Sequence, residues 1–166
     1  TNSTLLRDDT LVYQARFDPD DWSGEIRAME VNPDGSLGGM RWNTNELGVF
    51  KAPGERRVYT YNGREGVELT LDDWNELSLA QCAGLLGLGL DEVMNLLDVD
   101  DPDAADCDDL EPLAPDHEEL DLSLARARLE WLRGDHSEEL TGRLRGRNRL
   151  LGDIVHSNPF LVDAKE

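Results

Sequence analysis

Apolar and polar side chains alternate along the first part of the chain, a pattern that predicts antiparallel strands. Residues 11–17 carry apolar side chains at every second position, which is typical of a strand with one better-buried face. A second strand is predicted over 22–31, and it ends at the turn sequence Asn32-Pro33-Asp34-Gly35. A return strand follows over 37–42, where Gly38 and Gly39 indicate a bulge. Residues 1–9 are polar, and we expect them to be irregular.

The pattern changes after a last short strand candidate at 58–61, and apolar residues then recur at helical spacing. Capping-box sequences at 70–73 and 78–81 predict two short helices. A third short helix is predicted over 91–97, and the clearest helix spans 121–133. The apolar stripe of this last helix consists of Leu122, Ala125, Leu129 and Leu132.

Charge is concentrated in one segment of the chain. The net charge is -20, yet residues 65–125 contain 19 acidic residues and no Lys or Arg, while the remainder is almost neutral. This block argues against a nucleic-acid partner, because phosphate binding needs clustered cationic side chains. Residues 98–118 are rich in Asp and Pro and predict a long loop. No apolar run approaches the roughly 20 residues that a membrane-spanning helix needs.

The chain has two cysteines, Cys82 and Cys107, which fit no metal-ligand spacing. In an exported protein we expect them to form a disulfide that pins the acidic loop to a helix. Such a bridge contributes about 3 kcal/mol in the chain-entropy model. Two unrelated buried thiols are the alternative.

The acidic loop offers the carboxylate oxygens that calcium prefers. An EF-hand frame starting at Asp98 fails, because Pro102 takes a ligand position and Asp103 stands where glycine is needed. A calcium site in this loop would use Asp98, Asp100, Asp103, Asp106 and Asp108. The alternative is a solvated acidic loop with no defined ion site.

Arginines alternate over residues 143–149, where they could present one basic edge to an anionic partner. The simpler interpretation is that they pair with the acidic block of their own chain. The sequence contains no phosphate loop, nucleophile elbow or zinc-protease motif. Asp153, His156 and Ser157 are triad residue types, but on adjacent positions they cannot reach relay geometry. We therefore expect no catalytic residues.

Three runs of residues together resemble the PilY-type proteins of bacterial type IV pili. Residues 22–28, with the turn after them and a closing tryptophan, resemble a blade of a quinoprotein-type propeller, in which a small residue and a tryptophan dock adjacent strands. Residues 131–135 resemble a helix-ending motif of the pilus proteins, and 151–159 resemble a strand and turn further along them. The resemblance implies structural roles for Trp22, Gly24, Trp42, Trp131, Gly134, Asp153 and Pro159.

The resemblance implies an α+β fold, with antiparallel hairpin and blade strands of a β-propeller and an acidic helical insertion. It places the first propeller strands and hairpin at 1–63, the insertion at 64–142, and the following strand and turn at 143–166. This would be a fragment of a larger domain. The family's calcium loop of repeated Asp and Asn residues lies further downstream and has no convincing copy here.

The resemblance also implies a non-catalytic structural and interaction protein, part of a type IV pilus biogenesis factor or a pilus-tip adhesin. Its location would be extracytoplasmic, in the periplasm, at the outer membrane surface or at the pilus tip. The expected partners are pilin or minor pilin subunits and the remaining propeller blades of the same protein. Two alternatives stay open: a fragment of a quinoprotein-like enzyme that binds pyrroloquinoline quinone, and a calcium-binding module of another bacterial surface protein.

Overall fold

The computed structural model describes residues 5–7, 11–46 and 49–152. Contacts divide the chain into two units, of which the first comprises residues 1–51 and 146–166. The second unit is the continuous stretch 52–145. Asp153 and Pro159, to which the resemblance gives structural roles, lie outside the described residues.

The first unit contains a four-stranded antiparallel sheet in which sequence neighbours pair. The strands are β1 (Leu5–Arg7), β2 (Leu11–Asp18), β3 (Ser23–Val31) and β4 (Leu37–Asn43), in the order β1-β2-β3-β4. Three of these strands were predicted, whereas β1 forms inside a segment that we expected to be irregular. With the helices described below, this sheet confirms an α+β protein with antiparallel strands. The described residues contain no closed propeller.

The hairpin between β3 and β4 forms at the predicted turn and with the predicted bulge. Gly35 adopts a left-handed conformation with φ of 81°, and its N–H donates to the carbonyl of Asn32 at 2.8 Å. The register then shifts between β3 and β4. A Cβ added to Gly38 would lie 3.0 Å from the Asn32 Oδ1 atom. The structure therefore leaves little room for a side chain at Gly38.

Both faces of this sheet are partly buried, although the alternation predicted one better-buried face. Ala15 and Ala28 are buried on the expected face. Val12 is only 2% exposed and lies on the opposite face, where Glu25 is also buried. The buried carboxylate of Glu25 forms an ion pair with Arg27, whose Nε atom lies 2.8 Å away.

The chain returns to this sheet at residues 151–152. Ser23 and Gly152 form an antiparallel bridge, and the Gly24 N–H donates to the Leu151 carbonyl at 3.0 Å. Ile26, two residues along β3, directs its carbonyl to the Thr44 N–H at the end of β4. Alternate residues point to the same edge of a strand. Residues 151–152 therefore pair with β3 along the edge that β4 leaves free.

The second unit combines a short hairpin with four helices. Its hairpin pairs β5 (Tyr59–Tyr61) with β6 (Gly66–Glu68). Its helices are α1 (Leu79–Leu86), α2 (Leu90–Leu97), α3 (Leu122–Arg133) and α4 (Ser137–Leu140). The start of α1 and the bounds of α2 and α3 agree with the prediction to within one or two residues. The capping sequence at 70–73 instead precedes a single 3₁₀ turn, Trp74–Glu76.

Local signals account for where the helices begin and end. Ser78 and Gln81 form a full capping box at the start of α1, and Gly87 ends that helix with φ of 82°. The Asp121 carboxylate accepts from the N–H of Leu124 at 2.8 Å and starts α3. Gly134 ends α3 in a left-handed conformation with φ of 103°.

The core of the second unit lies between α1, α2, α3 and the acidic segment. Its most deeply buried side chains are Leu77, Leu79, Cys82, Val93, Cys107, Leu110 and Leu129. Leu122, Ala125 and Leu129 are buried as the apolar stripe predicts, but Leu132 is 53% exposed. Leu132 instead borders an apolar groove that Gly84 and Leu85 of α1 also line.

Candidate functional site

The acidic segment is attached to the helices by the predicted disulfide. Cys82 in α1 and Cys107 form a disulfide with their Cα atoms 5.6 Å apart, and both side chains are fully buried. Next to it, Ser78 and Asp106 form an isolated antiparallel bridge. The segment that the sequence predicted as a long loop is thus fixed at its middle. It contains three short 3₁₀ turns, Pro102–Ala104, Asp108–Leu110 and Ala114–Asp116.

Several aspartates of this segment hold its own backbone. Asp101 accepts from the Asp103 N–H at 2.9 Å, and Asp106 accepts from the Asp108 N–H at 2.7 Å. Asp109 accepts from the Asp106 N–H at 3.0 Å. Such local bonds are the usual reason for Asp in tight turns. These carboxylates therefore have a structural use that is independent of any ion.

The structure does not bring the five predicted calcium ligands to one point. In the part of the chain that is described, no three His, Cys, Asp or Glu side chains are grouped so that they could hold a metal ion. Asp98 lies apart from the turns, at the end of α2, in a left-handed conformation with φ of 54°. Calcium binding by Asp98, Asp100, Asp103, Asp106 and Asp108 stays a prediction.

Like charges are crowded around Asp108. Desolvation raises the pKa of this carboxyl, and the neighbouring Asp106, Glu111 and Asp109 raise it further, while Arg126 lowers it. The charged form of Asp108 is therefore disfavoured in the folded protein. The segment stays in place because the disulfide and the turn hydrogen bonds offset this repulsion.

Arginines from outside the acidic block provide part of the compensation. Arg126 of α3 pairs with Glu111. Arg143 pairs with Asp121 at 3.2 Å, as the simpler interpretation of the arginine run predicted. Arg149 instead pairs with Asp18, within the first unit, at 3.6 Å. The alternating arginines therefore divide between the two units.

A polar cleft of about 330 Å³ opens beside the disulfide. Its walls include Glu65, Glu76, Asp103 and Asp109, and Arg64 pairs with Asp103 at 3.3 Å across them. The cleft shows that the acidic block presents carboxylates on a concave surface as well as on exposed turns.

A second, apolar groove lies at the other end of α1, and we call it the α1–α3 groove. It has a volume of about 320 Å³. Its lining consists of Gly84, Leu85, Arg128, Trp131, Leu132, Leu144 and Arg145. Trp131 was predicted to have a structural role and Leu132 to belong to the core stripe, but the groove itself was not predicted. The sequence holds no local signal for it, because the lining comes from α1, α3 and residues 144–145.

The residues with structural roles from the resemblance differ in their packing. Trp22 is 62% exposed, with φ of 56°, and its ring meets Phe17 edge-on at 5.9 Å. Trp42 is half-buried, and its ring centroid lies 6.1 Å from that of Tyr13. Gly24 and Gly134 are buried, and Trp131 is half-buried. Trp22 is therefore the one of these described residues that the structure leaves outside its packed interior.

Comparison with known proteins points to bacterial pili. The chain is 27% identical over 166 residues to a "Type IV pilus biogenesis factor PilY1 homolog" of Xylella fastidiosa (strain Temecula1). The chain is similar to a region of a pilus factor. The alignment covers 99% of this chain and spans only 10% of the relative's length. This distant similarity agrees with the resemblance found in the three sequence runs.

Two other comparisons found no relative. No protein-family model matches the chain, and no solved structure matches it. Among the described residues, every helix is too short or too polar to cross a membrane.

Proposed function

We propose that this chain is a non-catalytic, structural and interaction segment of a type IV pilus factor. The similarity along 99% of the chain to a pilus biogenesis factor is the observation that supports this most strongly. The proposed location is outside the cytoplasm, in the periplasm, at the outer membrane surface or at the pilus tip. A buried structural disulfide supports that location, because such bonds persist mainly in oxidising compartments.

The sheet of the first unit serves, in this proposal, as one blade of a propeller that the rest of the protein completes. Propeller blades are four-stranded antiparallel sheets, and the order β1-β2-β3-β4 has that form. Trp22, Leu37 and Met40 are large apolar residues that the described structure leaves exposed. Neighbouring blades would cover such residues and would protect the sheet edges.

The second unit serves as the contact element. It carries 24 acidic and 8 basic residues, so its field attracts basic surfaces and repels acidic ones over a distance of roughly one Debye length. The proposed partners are pilin or minor pilin subunits. Because the disulfide ties the acidic segment to α1, this charge is presented on a fixed surface and needs little ordering on binding.

A gene replacement in the bacterium that encodes the protein tests this role. The codons for residues 52–145 are exchanged for a short Gly-Ser linker, and surface pili are counted by electron microscopy beside measurements of twitching motility. We expect pilus number and motility to fall toward the values of a whole-gene deletion, while the same locus carrying the natural gene restores both. Normal piliation with normal amounts of the shortened protein would refute the proposal.

Two further activities stay open as separate predictions. Calcium binding by the acidic segment would appear in calorimetry as saturable heat with calcium, compared with magnesium. The quinoprotein-like alternative would appear as cofactor absorbance that stays with the protein after incubation with pyrroloquinoline quinone. We propose neither as the main role, since the described residues contain no metal-holding group and the relative is a pilus factor.

A further inference from the structure

We propose that the α1–α3 groove binds a segment of a partner protein that presents an apolar side chain beside a carboxylate. This inference depends only on the geometry of the second unit. It goes beyond the pilus role, and its failure would leave that role untouched.

The groove has the size and the lining of a site for one or two apolar side chains. Ligand sites usually start at about 300 Å³, and this groove measures about 320 Å³. Leu85, Trp131, Leu132 and Leu144 supply its apolar surface. Leu132 is 53% exposed, and Leu85 is almost buried at its base. A partner side chain would therefore remove apolar area of α3 from water that folding has left uncovered.

Two arginines line this apolar surface. Arg128 donates from Nη1 to the Leu85 carbonyl at 2.5 Å, which fixes its guanidinium against the end of α1. A guanidinium has five N–H donors, so most remain for a ligand. Arg145 is exposed on the opposite segment of the lining. Both cations therefore lie beside the space that a ligand would fill.

These two arginines differ from Arg64, Arg126 and Arg143 of the same unit. Arg64 and Arg143 pair with carboxylates at 3.3 and 3.2 Å, and Arg126 pairs with Glu111. Within the described residues, neither Arg128 nor Arg145 forms an ion pair with a carboxylate. Neither guanidinium has a carboxylate within ion-pair distance, although Arg128 helps from further away to lower the pKa of Asp121, so both keep N–H donors for a ligand.

Charge complementarity selects the partner. A carboxylate is repelled by most of this acidic unit, whereas at the groove two guanidinium groups line the space and can donate to it. A basic segment is attracted elsewhere on the unit but repelled here. The groove therefore favours an acidic and apolar segment over a basic one, because its arginines attract the carboxylate of the first and repel the cations of the second.

A random heptapeptide library displayed on phage, panned on the full chain and counter-selected on the Leu132→Asp variant, supplies the probe. We expect the recovered peptides to combine an aliphatic or aromatic residue with Asp or Glu. Anisotropy titration of the synthetic peptides should then show binding at least about tenfold weaker to Leu132→Asp and Arg145→Glu, which is 1.4 kcal/mol or more. The matched controls, Leu140→Asp and Arg57→Glu, make the same changes at exposed residues outside the groove and should change affinity less than about twofold.

Several results would overturn the proposal. They are peptides rich in Lys or Arg, equal losses in the control variants, and no enrichment over the counter-selection. A concentration-dependent dimer that Leu132→Asp abolishes would assign the groove to a second copy of the chain. Saturable binding of decanoate without peptide binding would assign it to a lipid. Circular dichroism and the intact disulfide verify that each variant is folded, and Arg145→Glu is an independent test because Arg145 is exposed.

Discussion

Reducing the disulfide between Cys82 and Cys107 should lower the stability of the second unit by several kcal/mol. The bridge joins residues 25 apart, so the chain-entropy relation gives about 3.5 kcal/mol at 25 °C. Small domains typically unfold with a free energy of 5–15 kcal/mol. The loss is therefore a large part of what holds this unit together.

The effect should be concentrated in the acidic segment. Burial and like charges raise the pKa of Asp108, which shows that its charged form is disfavoured where the fold places it. Once the disulfide is reduced, this repulsion favours detachment of the segment around Cys107 from α1. Added salt should restore part of the lost stability, because it screens the repulsion between exposed carboxylates.

Urea unfolding with and without a phosphine reductant, followed by circular dichroism, measures the change. A Cys82→Ala/Cys107→Ala chain serves as the control, since it has no bond to reduce. The reductant should change neither its free energy of unfolding nor the dependence of that free energy on urea concentration. Digestion with a protease that cleaves before Asp locates the change, and residues 98–118 should become the first segment cut. A reduced chain that loses less than about 1 kcal/mol, or that is cut first in the strands, would refute the reasoning.

Other substitutions test single contacts, each by urea unfolding. Ser78→Ala removes the capping box of α1 and should cost about 1 kcal/mol, whereas a loss near zero would contradict the cap. Leu129→Ala opens the fully buried core and should cost about 2–5 kcal/mol. The Leu124 N–H lowers the pKa of Asp121, as does Arg143, so its stabilisation is present above the unfolded pKa and is lost as pH falls through the folded value. Asp121→Ala should therefore destabilise the chain at pH 7, with an effect that shrinks as the pH falls below the ordinary Asp value of 3.8, and an effect that does not change with pH would contradict this reasoning. The pKa of Asp108 is raised, so Asp108→Asn should stabilise the chain at neutral pH and lose this effect in acid, when the natural carboxyl is protonated as well.

The helices could be predicted because their signals lie within a few residues of each end. The capping box at Ser78, the left-handed Gly87 and Gly134, and the Asp121 cap act through local backbone bonds. The turn at Asn32–Gly35 is similar, since proline and glycine limit its conformation whatever lies around it. The cysteine pairing was open to prediction because only two cysteines are present.

Features that depend on contacts with residues far along the chain could not be predicted from the sequence. Strand β1 exists through its pairing with β2, and no strong alternation indicates it. Val12 is buried on the face that the pattern indicated as the more exposed one, and Leu132 is exposed although it continues the core stripe. In each case burial is decided by which element covers the position, and that information lies far along the chain.

The α1–α3 groove was beyond prediction for the same reason. Arg128 lies in α3 and Arg145 follows α4, and they line the same groove because the chain turns back after α4. That turn is held by the Leu144 N–H, which donates to the Glu138 carbonyl at 3.1 Å. For the calcium prediction the residues were easy to see in the sequence, but their role was not. Asp101, Asp106 and Asp109 accept hydrogen bonds from nearby backbone N–H groups, so a dense run of Asp does not by itself indicate an ion site.

A carbodiimide cross-linking experiment in intact, piliated cells tests the proposed pilus role most directly. Carbodiimide joins carboxylates to lysines, and residues 65–125 offer 19 carboxylates while the whole chain has only 2 lysines, so links from this block report on other proteins. We predict that mass spectrometry finds links from residues 65–125 to lysines of pilin or minor pilin subunits. Links confined to proteins unconnected with pili would contradict the assignment of this chain to the pilus.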